Sequence, residues 1–191
     1  RRWLAILTIL SIAVVLPSIF IFLGVKETAS HGKALVAAYK GQNFDSLRKE
    51  VTSTKSGLQK LDISLNFLFW LKIIPFLGGY YSDAKGFVGA GSEELIALDK
   101  LFSDLEPSKA ELGFDGNPKS GPDRTTQAVR ILNKSLPYLD KIESNLNKAA
   151  DRVRGIDTNK YPDKLKGKTI KKNLEVAKNF ILGVAVAVKE G

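Results

Sequence analysis

The sequence predicts an all-α protein: an N-terminal transmembrane helix followed by an antiparallel, up-down four-helix bundle of long helices. Three observations predict it. Trp3 to Val25 (WLAILTILSIAVVLPSIFIFLGV) is 23 residues without a charge. Four later stretches carry apolar residues at alternating spacings of four and three, the pattern of packed helices. Clusters of glycine, proline and asparagine separate those stretches.

Composition narrows the chemistry. The 191 residues hold 29 Lys+Arg against 20 Asp+Glu, a net charge of +9, with no Cys, no Met and a single His. The absence of cysteine removes disulfides, thiolate nucleophiles and cysteine metal sites. One histidine, His31, cannot form a histidine metal cluster. At 44% apolar and 26% charged the chain can build a core, and its length suits one domain with an appendage. The chain opens on Arg1 rather than Met, and Lys189-Glu190-Gly191 follows the apolar Phe180–Val188 without a clear helix cap. Both ends are therefore expected to be interruptions of a longer chain.

The uncharged run is long enough for a hydrocarbon core of ~30 Å at ~1.5 Å per residue. Arg1 and Arg2 precede it and Trp3 suits the headgroup level. The positive-inside rule then places the N-terminus in the cytoplasm and the rest outside. Pro17 is expected to kink the span, which membrane helices tolerate. A cleavable signal peptide would need an apolar region of only about 7–15 residues and a small-x-small site. Thr28-Ala29-Ser30 is a poor site placed late, so an uncleaved anchor is the reading.

The first periodic stretch is Leu47, Val51, Thr54, Leu58, Leu61, Leu65, Leu68, and the second is Ala84, Val88, Gly91, Leu95, Leu98, Phe102, Leu105. The third is Ala128, Leu132, Ser135, Leu139, Ile142, Leu146, Ala149, Val153, and the fourth is Ile170, Leu174, Ala177, Ile181, Val184, Val188. Gly41-Gln42-Asn43 ends a short helix continuing from the anchor, and Pro75 with Gly78-Gly79 predicts a tight reversal. Residues 107–122 (PSKAELGFDGNPKSGP) read as a long polar loop, and Gly155–Gly167, with Pro162, as another. Pro137 predicts a kink or a restart of the third helix. Helices of about 27–32 residues, roughly 40–48 Å, follow, with no strand alternation or hairpin turn. The division is 1–25 as anchor, 26–43 as membrane-proximal helix and turn, and 44–191 as extracytoplasmic bundle.

Alternating directions bring two loops back to the membrane. The helix starting at Phe44 is about twice the length of the outward piece, so its far end returns to the bilayer. That end, NFLFWLKIIPFLGGYY, carries Phe67, Phe69, Trp70, Phe76, Tyr80 and Tyr81. The loop after the third stretch carries Lys160, Lys164, Lys166, Lys168, Lys171 and Lys172 against Asp157 and Asp163, a balance of +4. The loop from Ser103 to Asp123 is distal and has a balance of −3. A basic, aromatic base and an acidic tip suit a domain resting on anionic lipid. Packing within their own hairpin, shallow insertion and a second span all remain open for the aromatics, and a solvated loop for the lysines.

Catalytic signatures are absent. Gly167-Lys168-Thr169 echoes a phosphate loop, but Pro162 stands where its first glycine belongs. Asp115 and Asn117 lack the ligand series and closing Glu of a calcium loop. Glu93 and Glu94 diverge around a helix, and His31 has no obvious partner. Despite a pI near 9.6, the extracytoplasmic placement and the absence of a recognition signature argue against nucleic acid.

The order of anchor, short helix, polar turn (YKGQNFDSLRKEV), long helix, IIPFLGG and a second long helix resembles the N-terminal part of a bacterial membrane-protein family catalogued as domain of unknown function 4012. The Pro75-Phe76-Leu77-Gly78 turn is the most telling element. The resemblance covers nearly the whole chain and implies an envelope protein with a larger extracytoplasmic domain downstream and no known catalytic residues.

The expectation is thus a single-pass, non-enzymatic helical stalk or interaction module of the cell envelope, without cofactor or metal. Its partners would be the lipid bilayer, anionic lipid or envelope polymer, and other envelope proteins or copies of itself. The alternative is the ligand-sensing bundle of a transmembrane receptor or sensor kinase; an envelope enzyme would need its acid and base groups beyond Gly191.

Overall fold

In the computed structural model, which describes the backbone of residues 2–114 and 121–190 and their side chains except 2–16, 121–124, 128 and 132, the chain is all-α but for one small hairpin. Helix α1 runs unbroken from Arg2 to Lys40. A three-residue break leads into α2 (Phe44–Asn66), whose first turn is capped by the Asn43 side chain accepting from the Ser46 amide at 2.8 Å. A 3₁₀ turn, Phe69–Ile73, precedes α3 (Leu77–Leu105). Helix α4 (Gly121–Ser135) passes through a 3₁₀ turn at Leu136–Tyr138 into α5 (Leu139–Arg154). The predicted restart at Pro137 is therefore present. A hairpin of β1 (Lys164–Leu165) and β2 (Lys168–Thr169) leads to α6 (Lys171–Glu190).

Each long helix packs on its predecessor in the order α1, α2, α3, α5, α6. The predicted core positions of the first periodic stretch are buried at Leu47, Val51, Thr54, Leu61 and Leu65 of α2 and at Leu68 just beyond it. One cluster joins Phe44, Leu47, Leu105, Leu112 and Phe114, with Leu35 and Ala38 of α1 against it. Two others join α3, α5 and α6: Ala90 with Ala149, Val153, Ile156 and Ile181, and Ala97 with Ile142, Leu146, Ala150 and Ala185. None of these three clusters holds side chains of both α2 and α6, so α3 serves as the shared wall of two packing units rather than one side of a closed four-helix core.

That role explains why α3 departs from a single heptad. Its Gly91 lies toward Leu58 of α2, whereas Gly86 and Gly89 lie against Arg152 of α5. A Cβ at Gly86 would fall 2.8 Å from the Arg152 carbonyl oxygen, a backbone atom that can yield only by moving the helix. Gly86→Val is therefore expected to cost about 1–3 kcal/mol in denaturant unfolding. Gly183→Ala in α6, where an added Cβ meets nothing within 4 Å, is expected to gain roughly 0.5–1 kcal/mol from helix propensity. Equal effects at the two sites would dismiss the close-approach explanation.

Several expectations are corrected. Only α3, at 29 residues, has the predicted length; α2 has 23, α4 15, α5 16 and α6 20. The expected absence of a hairpin is wrong. Lys166 and Gly167, both at positive φ, form the two-residue turn of an antiparallel pair in which Lys164 faces Thr169. Strands of two residues are too short to show alternation, and Lys-Gly is a weaker signal than Asn-Gly. The loop after α3 is not wholly polar, because Leu112 and Phe114 are core residues. Residues 115–120, with Asp115 and Asn117, lie outside the description. His31 does have a partner, with Nδ1 2.7 Å from Glu50 Oε2.

Among the described residues no helix is long and apolar enough to cross a membrane. Residues 3–16 of the predicted span have side chains outside the description; the described remainder from Pro17 packs on α2.

Candidate membrane-facing base

Two sequence-distant segments meet at one end of the array: the α2–α3 turn and the α5–α6 loop. Proline 75 sets the turn by holding Ile74 extended (φ −85°, ψ 124°), which stops the 3₁₀ helix. Phe76 then takes φ 69°, a left-handed conformation that a bulky residue seldom adopts. The chain doubles back so closely that a Cβ on Gly78 would sit 2.5 Å from the Lys72 carbonyl oxygen. Glycine is required there. The Gly78 amide closes the turn on the Ile74 carbonyl at 3.1 Å.

The side chains of this turn point outward. Phe76 is 91% exposed and Ile73 85%, with Phe67, Phe69 and Leu77 also open to solvent. Trp70 and Tyr81 are half-buried. Of the predicted aromatics, Phe67, Phe69 and Phe76 thus form the surface and Trp70 and Tyr81 its margin. Tyr80 is committed to the neighbouring loop.

The loop is locked to α3 by four residues. Tyr80 donates its hydroxyl to the Lys160 carbonyl at 2.9 Å and meets Tyr161 edge-on at 5.1 Å. The buried Asp83 carboxylate accepts from the Tyr161 hydroxyl at 2.8 Å and pairs with Lys160 Nζ at 2.6 Å. Lys160 Nζ also lies 5.6 and 5.8 Å from the Tyr80 and Tyr161 ring centres. Burial and the adjacent Asp83 carboxylate push the Tyr161 phenol well above its ordinary range, so it stays a donor.

Lys160, predicted as a surface cation, is exposed, and its ammonium is paired with the Asp83 carboxylate in this lock. Lys164, Lys166, Lys168 and Lys172 are exposed and Lys171 half-buried around the hairpin, which is closed by the Ile170 amide on the Asp163 carbonyl at 2.9 Å. Sequence reading missed Asp83 and Tyr161, which it had no means to pair across 78 positions.

A groove of about 570 Å³ opens between α2, α3 and α5, lined by Gln59, Asp62, Ile63, Lys85, Glu93 and Arg152 among others. Its charges are internally matched: Lys85 pairs with Asp62, and Glu93 accepts from Arg152 at 3.2 Å and Asn145 at 2.8 Å. Burial raises the Glu93 pKa, but the bonds from Asn145 and Arg152 and the charges of Arg152 and Lys148 outweigh it, and the group stays ionised. Among the described residues lining it, the charges of Asp62, Lys85, Glu93 and Arg152 are all paired. Among the described residues no group of three or more His, Cys, Asp or Glu could hold a metal.

At the other end the described carboxylates of the predicted acidic tip are paired. Glu106 pairs with Arg48 at 2.5 Å, Glu111 with Lys134 at 3.0 Å and Asp104 with Lys141 at 3.1 Å. No family model, curated protein or solved structure matches the chain.

Proposed function

We propose that the chain is a membrane-anchored extracytoplasmic helical stalk or interaction module of a bacterial cell-envelope protein, non-catalytic in this region. The observation that carries this reading is the continuity of α1. The 23-residue uncharged run passes without a break into the helix that packs on α2, so an anchor and a rigid domain share one rod. Arg1 and Arg2 at its start favour an N-in orientation. The exposed lysines of the hairpin lie at the α2–α3 turn end, where the headgroups of anionic lipid would meet them. The order of elements and the Pro75-Phe76-Leu77-Gly78 turn are similar to those of the domain of unknown function 4012 family, which points the same way.

Expressed in a bacterium, the full chain is expected to stay with membranes through an alkaline wash, and protease added outside spheroplasts should cut it beyond α1. A chain beginning at Pro17, which keeps every described core contact, should leave the membrane pellet yet still float with anionic liposomes at low salt. Each lysine near such a surface contributes about 1 kcal/mol, so replacing Lys164, Lys166, Lys168, Lys171 and Lys172 by Gln should weaken flotation by at least roughly a hundredfold. Release of the full chain by alkali, or cleavage only from the cytosolic side, ends the reading.

A further inference from the structure

We infer that the α2–α3 turn is a wedge embedded among the acyl chains of the outer leaflet of the same membrane that α1 crosses. This inference rests on the anchored reading above and adds a depth to it. The level of the turn follows from the helix register. Gly24 lies against Leu61, where a Cβ would be 2.8 Å from Leu61 Cδ2, and Gly57 lies 2.6 Å in the same sense from Thr28 Oγ1. The Glu27–Lys60 ion pair at 2.7 Å repeats this register. Following the antiparallel pair seven residues further places Leu68 level with Pro17, and both are buried.

If Trp3 marks the inner boundary, a ~30 Å core is filled by about 20 residues and ends near Leu23. The turn at the level of Pro17 then lies roughly 9 Å inside the outer boundary, a depth usual for interfacial insertion.

The chemistry of the turn fits that depth. From Phe67 to Tyr81 there is no acidic residue and a single charge, Lys72, whose stem can carry its ammonium up to the headgroups. Phe67, Phe69, Ile73, Phe76 and Leu77 are all exposed, and on α1 Ile19, Phe20, Phe22 and Leu23 are exposed from just above that level up to the outer boundary. These two segments make one apolar collar rather than scattered surface residues. Within the turn the Leu68, Leu71, Ile74 and Gly78 amides donate to backbone carbonyls, and Pro75 has no amide. On the α1–α2 pair the Glu27–Lys60 ion pair lies above the collar. Phe76 is held at positive φ with its ring outside the core, an outlier that a lipid contact for the ring accounts for.

Trp70 reports the depth, because Trp3 is the only other tryptophan. The full chain carrying Trp3→Phe, reconstituted in phospholipid vesicles brominated high on the acyl chains, should lose Trp70 emission roughly twofold relative to plain vesicles, as insertion by 5–10 Å requires. Phe69→Ser combined with Phe76→Ser, at two exposed positions, should leave the helical spectrum intact and reduce that quenching. Protein that resists alkaline extraction but shows no bromine quenching of Trp70 overturns the wedge and leaves the anchor standing. Protein that fails to integrate at all removes the anchor and the wedge with it.

Discussion

Phe44→Ala is expected to cost about 3–5 kcal/mol, a large part of the 5–15 kcal/mol that holds a domain of this kind together. Phe44 is 2% exposed and stands at the first position of α2, where α1, α2, α3, α4 and the segment after α3 converge. Its ring meets Phe102 edge-on at 5.6 Å and Phe114 at 5.7 Å, and it packs against Leu47, Leu105 and Leu112. Truncation empties a site whose walls belong to different elements and cannot close together, so the cavity term adds to the lost burial. The segment carrying Leu112 and Phe114 should lose amide-exchange protection first, since its anchorage is this cluster. Chemical denaturation measures the loss. Phe76→Ala serves as the contrast, for the turn ring touches little and should change stability by no more than about 0.5 kcal/mol. A cost below about 1 kcal/mol at Phe44 would remove it from the centre of the core.

Glu94→Gln is expected to stabilise the protein at pH 8 and to leave it nearly unchanged near pH 4. The side chain has no hydrogen-bond or ion-pair partner among the described residues, and burial raises its pKa from 4.5 to about 7. The folded state thus holds this proton more tightly than the unfolded chain. The resulting stabilisation is complete below about 4.5 and is lost as pH rises through about 7. Glutamine has nothing to ionise, so its advantage should grow across that window to about 1–2 kcal/mol, the partial exposure of the carboxyl moderating the penalty. Thermal melts of both proteins at pH 4, 6 and 8 check this, and parallel curves would mean that Glu94 is solvated in the folded state. The neighbouring Glu93 behaves oppositely because α3 turns it toward Asn145 and Arg152.

The separation of those two carboxylates was readable in the sequence, since adjacent residues on a helix lie about 100° apart. So was most of the helical order. The break at Gly41-Gln42-Asn43, the reversal at Pro75 and the restart at Pro137 all fall where the residues place them. The buried positions of α2 and α5 match the spacing of four and three, because each of these helices hides a stripe read directly from its own residues. Helix α3 is different. It buries one face against α2 and another against α5 and α6, and its second face is written in Gly86, Ala90 and Ala97, residues too small to register as hydrophobic.

The base shows the same division. Its aromatic turn and lysine-rich loop were visible as local composition, and counting helix directions was enough to put them at one end. Which of those side chains are free was not visible. Lys160 and Tyr80 are taken up by Asp83 and Tyr161, residues 78 or more positions apart in part, and no local pattern announces a buried carboxylate with two donors. The hairpin was missed for a related reason, as two-residue strands leave no period to detect.

Residue order alone therefore settled that the chain is helical, where it turns and which end gathers aromatics and lysines, because each of these depends on neighbours within a few turns of helix. The register of α1 against α2, the sharing of α3 between two packing units, the lock on Lys160 and the outward display of Phe76 were decided by the folded chain. They depend on which distant surfaces come within van der Waals reach, and glycines, single carboxylates and one strained backbone angle control that at positions no periodicity marks.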